Sequence, residues 1–341
     1  MKTENNLWAD VIDFENLYVA YKEASKGKRY LRASLKFAQN LEENIITIQN
    51  ELIWKEWRPR PLREFTIHEP KKRLISAPDF RDRVVHHALV RVIEPVFDKA
   101  FISDSHACRK GHGVQRAALR VQHFTRSAQS RGAFWTYKGD IKKFFPSVSH
   151  DVIKRIVRRK ISDSDVLWLI DLLIDGYTDG NRGIPIGALT SQLLANVLLD
   201  QLDHFAKETL KIKRYARYMD DFVVVSNDLE ELRRQRIRIE HFLETELDLE
   251  INPKSGIIRG SIPFCGYRIH PACILPRKTT MKKARRRLKK LSKLYSEGQI
   301  ELPRMRASIF SYLGYAKHCS MHRTTESALS ELILARRSKD E

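Results

Sequence analysis

The chain has 341 residues, and its 42% hydrophobic and 30% charged residues suit a soluble protein with a buried core. It carries 62 Lys and Arg against 42 Asp and Glu, a formal charge of +20 that favours a nucleic acid partner, although a basic protein on an anionic membrane is an alternative. No apolar run approaches the ~20 residues that span a bilayer, the N-terminus lacks a signal peptide, and the cysteines form no C-x-x-C pair, so we expect a cytoplasmic protein without a disulfide framework.

The first third of the chain is predicted to be mostly helical. Apolar residues at helical spacing predict helices over 13–27 and 30–50. Prolines then break this pattern around a short extended segment at 63–69. A basic turn at 71–73 leads into a further predicted helix over 79–97.

The middle of the chain alternates between strands and helices. Aromatic and β-branched residues predict a strand over 134–141, and a helix is expected over 149–160 with its first residue, a serine, as the N-cap. A turn containing Pro and Gly begins 184–202 and continues as a helix. A hairpin over 214–226 and an amphipathic helix over 229–247 complete an α+β pattern.

The segment 277–293 is rich in Lys and Arg and contains no acidic residue. Its apolar residues fall on one helical stripe, so the other faces are cationic. The alternative, a solvated charged face, usually mixes both signs. We therefore expect this helix to contact a nucleic acid backbone through Lys282, Lys283, Arg285, Arg286, Arg287, Lys289 and Lys290.

Three aspartates are the candidate catalytic residues. Asp220 and Asp221 are adjacent in the predicted hairpin, where two like charges destabilise the fold unless a cation offsets them. Magnesium does this with oxygen ligands and also binds substrate phosphates. A simple turn is the alternative for this pair. Asp140 ends a separate apolar strand, so the three can supply the carboxylates of a two-metal phosphoryl-transfer site.

These residues belong to a series of motifs in fixed order. The series comprises Asp140 with Phe144-Phe145, Ile184-Pro185-Ile186-Gly187-Ala188-Leu189-Thr190-Ser191-Gln192, Tyr218-Met219-Asp220-Asp221, Asn252-Pro253-Lys254 and Phe264-Cys265-Gly266-Tyr267. In this order the motifs resemble those of reverse transcriptases, over roughly residues 10–320. The resemblance implies an RNA-directed DNA polymerase with the right-hand architecture. It also implies fingers over 1–130, a palm over 131–270 with a fingers insertion near 155–190, and a basic helical thumb over 271–341.

The resemblance assigns the metal and nucleotide positions. Asp140 and Asp221 would bind metal with Asp220 as the third carboxylate and Ile141 beside them, and the cofactor would be two Mg²⁺ ions, with Mn²⁺ as a substitute. Phe145 falls where reverse transcriptases place a bulky side chain that excludes the 2′-hydroxyl of NTPs. A core aromatic is the alternative reading of Phe145 or its neighbour. The other expected dNTP contacts are Lys72, Arg73, Phe144, Ile186, Gly187, Gln192 and Lys254.

The resemblance also gives specific roles to two basic residues near the triphosphate, to one palm lysine and to one hairpin. Lys72 and Arg73 would neutralise the triphosphate, with solvated surface charge as the alternative. Lys254 resembles a palm lysine that acts as general acid toward pyrophosphate. The hairpin of Phe264, Cys265, Gly266 and Tyr267 would hold the primer end, although core packing is equally expected for the first of them.

The segment 186–192 indicates which class of reverse transcriptase the chain resembles. Most reverse transcriptases, including group II intron enzymes, read Gln-Gly-x-x-x-Ser-Pro there, whereas this chain has Ile186 and Gln192 at the two ends. That form resembles the reverse transcriptases of diversity-generating retroelements from bacteria or phages. The resemblance implies error-prone copying of a template-repeat RNA into cDNA, mainly at adenines, and a small, basic, oligomeric accessory protein. Because the sequence ends at Glu341, we expect no endonuclease or RNase H domain.

Two other functions remain open from the sequence. One is a group II-like or phage-defence reverse transcriptase of ordinary fidelity. The other is a catalytically inert RNA-binding protein on a polymerase scaffold, against which the three intact aspartates argue. The apolar Ile186 suggests a physical reason for low fidelity, because it removes an amide that could hydrogen-bond near the template base.

Overall fold

The computed structural model describes residues 3–68, 73–177, 180–330, 332 and 335. The helices are α1 (Trp8–Ile12), α2 (Phe14–Ser25), α3 (Arg32–Gln39), α4 (Leu41–Ile53), α5 (Phe80–Asp98), α6 (Val114–Gln129), α7 (Phe144–Ser147), α8 (His150–Val157), α9 (Ser164–Asp175), α10 (Leu189–His204), α11 (Leu229–Leu247), α12 (Lys278–Ser296), α13 (Leu302–Ala316) and α14 (His322–Ser330), and a π-helical turn (Phe205–Thr209) follows α10. The strands are β1 (Arg63–Ile67), β2 (Arg73–Ala77), β3 (Trp135–Asp140), β4 (Tyr215–Tyr218), β5 (Asp221–Ser226), β6 (Gly256–Arg259), β7 (Ile262–Phe264), β8 (Tyr267–Ile269) and β9 (Ile274–Pro276).

A four-stranded antiparallel sheet lies at the centre, with strand order β4-β5-β3-β6. Two smaller antiparallel sheets, β1-β2 and β7-β8-β9, lie beside it. The strands of the central sheet alternate between two hydrophobic cores, as the period of two in a strand requires. Tyr137, Phe222 and Val224 pack into the larger core with α5, α10 and α11, while Val223 and Val225 pack into a second core with α6 and β7–β9.

Several predicted elements are confirmed within a residue or two. The helix over 229–247 is α11, and its N-cap is Asp228, whose carboxylate accepts a hydrogen bond from the Glu231 amide at 3.0 Å. The hairpin over 214–226 is β4-β5. The helix expected over 149–160 begins at His150 and ends three residues early at Val157, and Ser149 is its N-cap as predicted, although its side chain makes no capping hydrogen bond.

Other expectations on helices need correction. The helix predicted over 30–50 is two helices, because Asn40 has φ −123° and ψ 56°, which breaks the hydrogen-bond ladder between α3 and α4. No specific helix was predicted at the positions of α1, α6, α7, α9, α13 or α14. The apolar stripe of α6 includes Ala117 and Ala118, which are small and give a weak periodic signal.

The C-terminal helices form a separate small hydrophobic cluster. Met281 and Leu288 of α12 pack with Tyr312 of α13, and Leu291 packs with Met305. The apolar stripe predicted for the basic segment is thus the buried face of α12. Within the described ranges, no helix combines the length and the apolar character that a membrane span needs.

Candidate active site

The three candidate aspartates meet at one end of the central sheet. Asp140 is the last residue of β3, and its Cα pairs with that of Asp221, the first residue of β5. Asp220 lies in the tight turn between β4 and β5, and its carbonyl accepts a hydrogen bond from the Ile141 amide at 3.2 Å. We call Asp140, Asp220 and Asp221 the aspartate cluster. The sequence separates these residues by eighty positions, and the strand pairing brings them together.

Glycine is required immediately before Asp140. A Cβ atom on Gly139 would lie 2.1 Å from Cζ of Phe222, whose ring covers this point of β3. Phe222 is fully buried between Tyr137 and Tyr215 and has little room to move. The close packing of the Phe222 ring against Gly139 therefore restricts the backbone position of β3 immediately before Asp140.

Polar neighbours hold two of the aspartates. The Asn252 amide donates from Nδ2 to Asp140 Oδ2 at 2.8 Å, and the Ser255 hydroxyl accepts from the Asp140 amide at 3.0 Å. Lys138, two residues before Asp140 on β3, donates from Nζ to Asp221 Oδ1 at 2.5 Å. Sequence reasoning gave no role to Lys138, Asn252 or Ser255, although Asn252 belongs to a motif that we had recognised.

The aspartate cluster carries more negative charge than its surroundings offset. Burial, followed by the negative charges of Asp140 and Asp221, raises the pKa of Asp220 to about 6. Burial also raises the pKa of Asp221, although the Lys138 ammonium opposes this rise. Clustered carboxylates with raised pKa values are the environment that a hard divalent cation stabilises. The donor set therefore fits Mg²⁺ or Mn²⁺.

The side chains are not arranged around one point. Among the described residues, no three His, Cys, Asp or Glu side chains converge as ligands of a single metal ion. Lys138 and Asn252 hold Asp221 and Asp140 in separate interactions instead.

A buried arginine supports the turn that carries Asp220. Arg217 donates from Nη1 to the carbonyl of Met219 at 3.1 Å, and Met219 has a left-handed φ of 54°. The Arg217 guanidinium also forms a two-point ion pair with the buried Asp203 of α10, at 2.8 Å and 2.6 Å. Since a left-handed backbone costs free energy at a non-glycine residue, these bonds stabilise the turn.

The two phenylalanines after Asp140 occupy different environments. Phe144 is buried in the larger core, and Phe145 is half-buried at its edge, with ring centroids 5.4 Å apart. The carbonyl of Phe145 accepts a hydrogen bond from the Ile184 amide at 3.0 Å. Of the two, Phe145 therefore has the accessible ring. Ile141 is buried directly after Asp140.

The segment 184–192 forms a turn and the start of α10. The Ile186 carbonyl accepts a hydrogen bond from the Ser76 amide of β2 at 2.9 Å, which joins this turn to the β1-β2 hairpin. Gly187 has φ 130°, and a Cβ there would lie 3.1 Å from Ile75 and 3.2 Å from the Ser76 carbonyl, so the position requires glycine. Ile186 and Gln192 are both half-buried.

A fully buried histidine fixes the first turn of α10. His86 of α5 makes hydrogen bonds through Nδ1 with the Thr190 hydroxyl at 2.8 Å and through Nε2 with the Tyr177 hydroxyl at 3.0 Å. Burial lowers the pKa of His86 to about 3, so the ring is neutral at ordinary pH. Sequence reasoning did not identify this contact, because the partners are far apart in the chain.

The cationic candidates differ in position. Arg73 begins β2 with an exposed side chain, and its positive charge opposes the rise in the pKa of Asp220. Lys72 lies outside the described residues. Lys254 is exposed, and its backbone amide donates to Asn252 Oδ1 at 3.1 Å.

The predicted primer hairpin is β7-β8, joined by Cys265 and Gly266. Both turn residues have positive φ, 49° and 84°, as a two-residue hairpin turn requires. Phe264 is fully buried, so core packing describes it, and Tyr267 stacks on Tyr315 of α13 at 5.5 Å. Burial, followed by the negative charge of Asp221, raises the pKa of the Cys265 thiol.

The basic side chains of α12 lie mainly on its solvent side. Arg285 is half-buried and donates to the Ser327 hydroxyl at 2.8 Å. The exposed members are Lys282, Lys283, Arg286, Arg287, Lys289 and Lys290. The helix follows the β7-β8-β9 sheet in the chain, and the positive charge of Arg277, just before α12, opposes the rise in the pKa of Asp221.

Comparison of the chain with known proteins identifies its family. Residues 67–316 match the family model described as reverse transcriptase (RNA-dependent DNA polymerase). Protein YkfC of Escherichia coli is 27% identical, with a match that covers 65% of this chain and 70% of YkfC. The group II intron-encoded protein LtrA of Lactococcus lactis is 29% identical over 50% of this chain. That match covers 29% of LtrA, so the chain spans less than a third of this relative.

The fold comparison agrees with the family match. The solved structure of apo telomerase from Candida tropicalis has a TM-score of 0.50 with this chain at 12% identity, covering 83% of this chain and 66% of that one. A likeness at such low identity concerns the fold alone. It confirms the expected α+β right-hand polymerase fold with antiparallel sheets. The family match spans most of the chain, includes all three aspartates and confirms the predicted enzyme class. The chain belongs to the reverse transcriptase family of RNA-directed DNA polymerases.

Proposed function

We propose that this chain extends a DNA primer along an RNA template at the aspartate cluster. The observation that carries the proposal is the pairing of Asp140 with Asp221 on adjacent strands, with Asp220 in the connecting turn. Two Mg²⁺ ions held by these carboxylates and by the Ile141 carbonyl would activate the primer 3′-hydroxyl and stabilise the leaving pyrophosphate. Ions bound there would compete with the contacts from Lys138 to Asp221 and from Asn252 to Asp140.

The proposal is tested by incorporation of labelled dNTP on a primed RNA template. We expect Asp220→Asn combined with Asp221→Asn to abolish incorporation, because the metal loses its charged ligands. Asp10→Asn, which removes an exposed carboxylate from α1, is the matched control and should keep wild-type activity. Absence of incorporation by the wild-type chain with cognate RNA and partners would favour the inert RNA-binding alternative.

We propose that Phe145 selects deoxynucleotides. Its half-buried ring lies five residues after Asp140, on the short helix α7 that follows β3. A ring in this place would crowd a ribose 2′-hydroxyl. Phe145→Ala should therefore lower the preference for dNTP over NTP by about 10- to 100-fold, as expected for loss of a steric contact. Phe145→Tyr, which keeps the ring, is the control, and an unchanged preference in Phe145→Ala would contradict the role.

Nucleotide binding is proposed for the cationic and turn residues around the site. Arg73 would neutralise the triphosphate, since its positive charge acts on Asp220. Lys254 would act as general acid toward pyrophosphate, and Gly187 and Gln192 would lie beneath the nascent pair. The β7-β8 hairpin would hold the primer end through the Cys265-Gly266 turn, since Phe264 is buried. The exposed lysines and arginines of α12 would contact the duplex backbone.

We further propose that the enzyme serves a diversity-generating retroelement. The support is the residue pair Ile186 and Gln192, and the way the Ile186 carbonyl is tied to Ser76. The enzyme would then copy a template-repeat RNA into cDNA with errors at adenines. A small, basic, oligomeric accessory protein would assist it. Both would act in the cytoplasm of a bacterium, whether the bacterium or a phage encodes the element.

Sequencing of the cDNA tests the fidelity proposal. We expect Ile186→Gln to lower the error rate at template adenines by about fivefold, the effect of one restored hydrogen bond of roughly 1 kcal/mol. Ile186→Val, which restores no amide, should leave the error rate unchanged. Equal adenine error rates in wild type and Ile186→Gln would remove the proposed role of this residue.

The similarity to LtrA favours a second candidate, a reverse transcriptase of group II type with ordinary fidelity. The same sequencing experiment separates the two, because this candidate predicts no excess of errors at adenines in the wild-type product. In either case we propose the three-part division into fingers, palm and thumb. We assign α6 to the palm, although it lies before residue 131, because it packs on β4 and β5.

A further inference from the structure

A second basic feature lies far from the aspartate cluster. A cleft of about 380 Å³ opens between the C-terminal half of α6, the segment 211–214 before β4, and the end of β5. We call it the distal cleft. Among the described residues that line it there is no carboxylate, and its basic side chains are Arg120, His123, Arg131, Lys211, Lys213 and Arg214.

The backbone presents two of these lysines to solvent. Ile212 is buried, whereas Lys211 and Lys213 on either side of it are exposed. The Ile212 amide donates to the Ala206 carbonyl at 2.9 Å, and Lys211 has a left-handed φ of 52°. The segment is thus fixed with its lysines pointing outward, and Lys211 keeps a backbone conformation that costs free energy at a non-glycine residue.

Arg214 forms the rigid wall of the cleft. Its guanidinium donates to Asn227 Oδ1 at 3.0 Å and to the Ser127 carbonyl at 3.2 Å. Burial, followed by the positive charge of Arg131, lowers the pKa of Arg214. Two guanidinium groups close enough to repel each other are stabilised by an anion between them.

The charges of the distal cleft are unequally compensated. Arg120 donates to Asp104 Oδ1 at 2.6 Å, so much of its charge is offset. Within the described part of the chain, Arg131, Lys211 and Lys213 form no ion pair. Among the described residues, cations without an ion pair from two separate segments therefore line one cleft: Arg131 just after α6, and Lys211 and Lys213 before β4.

The distal cleft cannot take part in the chemical step. Strand β5 runs from Asp221 to Ser226, five residue steps that span about 17 Å. The cleft adjoins Ser226, the end of β5 that is opposite to Asp221. A ligand bound there is separate from the incoming nucleotide.

We propose that the distal cleft binds the phosphodiester backbone of an RNA segment that is not the template strand in the aspartate cluster. Phosphate contacts need only cations and release counterions, which suits three uncompensated side chains. A protein partner would need an apolar anchor, but the apolar residues that line the cleft, Phe124, Ile212 and Val225, are buried. The proposal goes beyond polymerase activity and does not depend on it.

The test compares two charge-matched variants of the full-length chain. The first combines Arg131→Ala, Lys211→Ala and Lys213→Ala. The control combines Arg158→Ala, Arg233→Ala and Arg234→Ala, whose guanidinium groups already pair with Asp171, Glu230 and Glu231. Affinity for a labelled RNA stem-loop without a primer is measured against salt concentration, with dNTP incorporation on a short primer-template as a second readout.

We expect the first variant to bind the stem-loop at least tenfold more weakly in low salt. The slope of log K against log salt should become shallower by about 2 to 3, one unit for each lost phosphate contact. Incorporation on the short primer-template should stay at the control level. The variant with Arg131→Lys, Lys211→Arg and Lys213→Arg should restore both affinity and slope.

Other outcomes would overturn the proposal. Equal losses in both triple variants would mean that only net charge matters. Unchanged RNA binding, with loss of binding to a poly-glutamate peptide, would identify an acidic protein surface as the ligand instead. Asp220→Asn combined with Asp221→Asn should still bind the stem-loop, so failure of the polymerase proposal can be distinguished from failure of this one.

Discussion

The β4-β5 hairpin carries two charged clusters that the fold treats in opposite ways. Arg217 and Asp203 form a fully buried ion pair in which every polar atom of the guanidinium has a partner, including Asn196 and Ser105. Three residues further along, the aspartate cluster collects carboxylates whose charge is only partly offset by Lys138. The Arg217–Asp203 pair joins the sheet to α10. The aspartate cluster retains excess negative charge that a bound cation would neutralise.

The difference shows in proton affinity. Burial alone would lower the pKa of Arg217, but the Asp203 carboxylate more than offsets this and raises it, so the pair stays charged. At the aspartate cluster, burial and mutual repulsion raise the pKa values of Asp220 and Asp221. Paired charges stabilise the folded state, whereas clustered like charges cost stability that a bound cation recovers. The supporting cluster therefore joins opposite charges, whereas the aspartate cluster gathers like charges.

The largest expected effect comes from Asp140→Asn, which should separate activity from stability. We expect dNTP incorporation to fall by about 10³-fold, since several kcal/mol of metal-dependent stabilisation are lost. The melting temperature should stay equal or rise, because repulsion with Asp221 is removed. The measurements are steady-state incorporation and thermal unfolding without metal. A melting temperature that falls together with activity would contradict the claim that like charges in the aspartate cluster destabilise the fold.

The supporting cluster should respond in the opposite sense. We expect Arg217→Met to lower the free energy of unfolding by about 3–5 kcal/mol, because the Asp203 carboxylate is left buried without its partner. Urea unfolding measures the loss. The double variant Arg217→Met with Asp203→Leu should recover part of it, since no buried charge then remains. A small loss in the single variant would mean that the pair is not structurally important.

Much of the site could be predicted from the sequence because its signals are local. Asp140 and Asp220-Asp221 follow or interrupt apolar strands, and the cap and stripe of α11 lie within one helix. Even without a structure, a β-hairpin places Asp221 at the start of its second strand. The sequence order of the motifs then identified the family, which the family model confirms.

The remaining contacts depend on residues that are distant in the chain. Asn252 bonds to Asp140 across 112 positions, and His86 bonds to Thr190 across 104. No periodic pattern specifies such pairs, because each depends on how helices and sheets pack. Arg217 gave a further misleading signal: a lone arginine in a strand suggests an exposed face, whereas here it is completely buried.

Asp200, near the Arg217–Asp203 pair, should have a smaller effect, on how the stability of the fold depends on pH. It lies one helical turn before His204 on α10, and its Oδ1 is buried without a hydrogen-bond partner among the described residues. Burial, followed by the negative charge of Asp203, raises the pKa of Asp200 to about 7. The folded state thus binds a proton that the unfolded state releases near pH 4, so stability is present below that pH and is lost as the pH rises through 7.

Asp200→Asn should remove this pH dependence, because the amide imitates the protonated acid. We expect the variant to be more stable than the wild type by about 1 kcal/mol at pH 8 and equal to it near pH 4. Urea unfolding at both pH values measures the difference, and Asp10→Asn, at an exposed position of α1, is the control. Equal stabilities at pH 8 would mean that His204 already compensates Asp200, and the supporting cluster would then extend to a second complete ion pair.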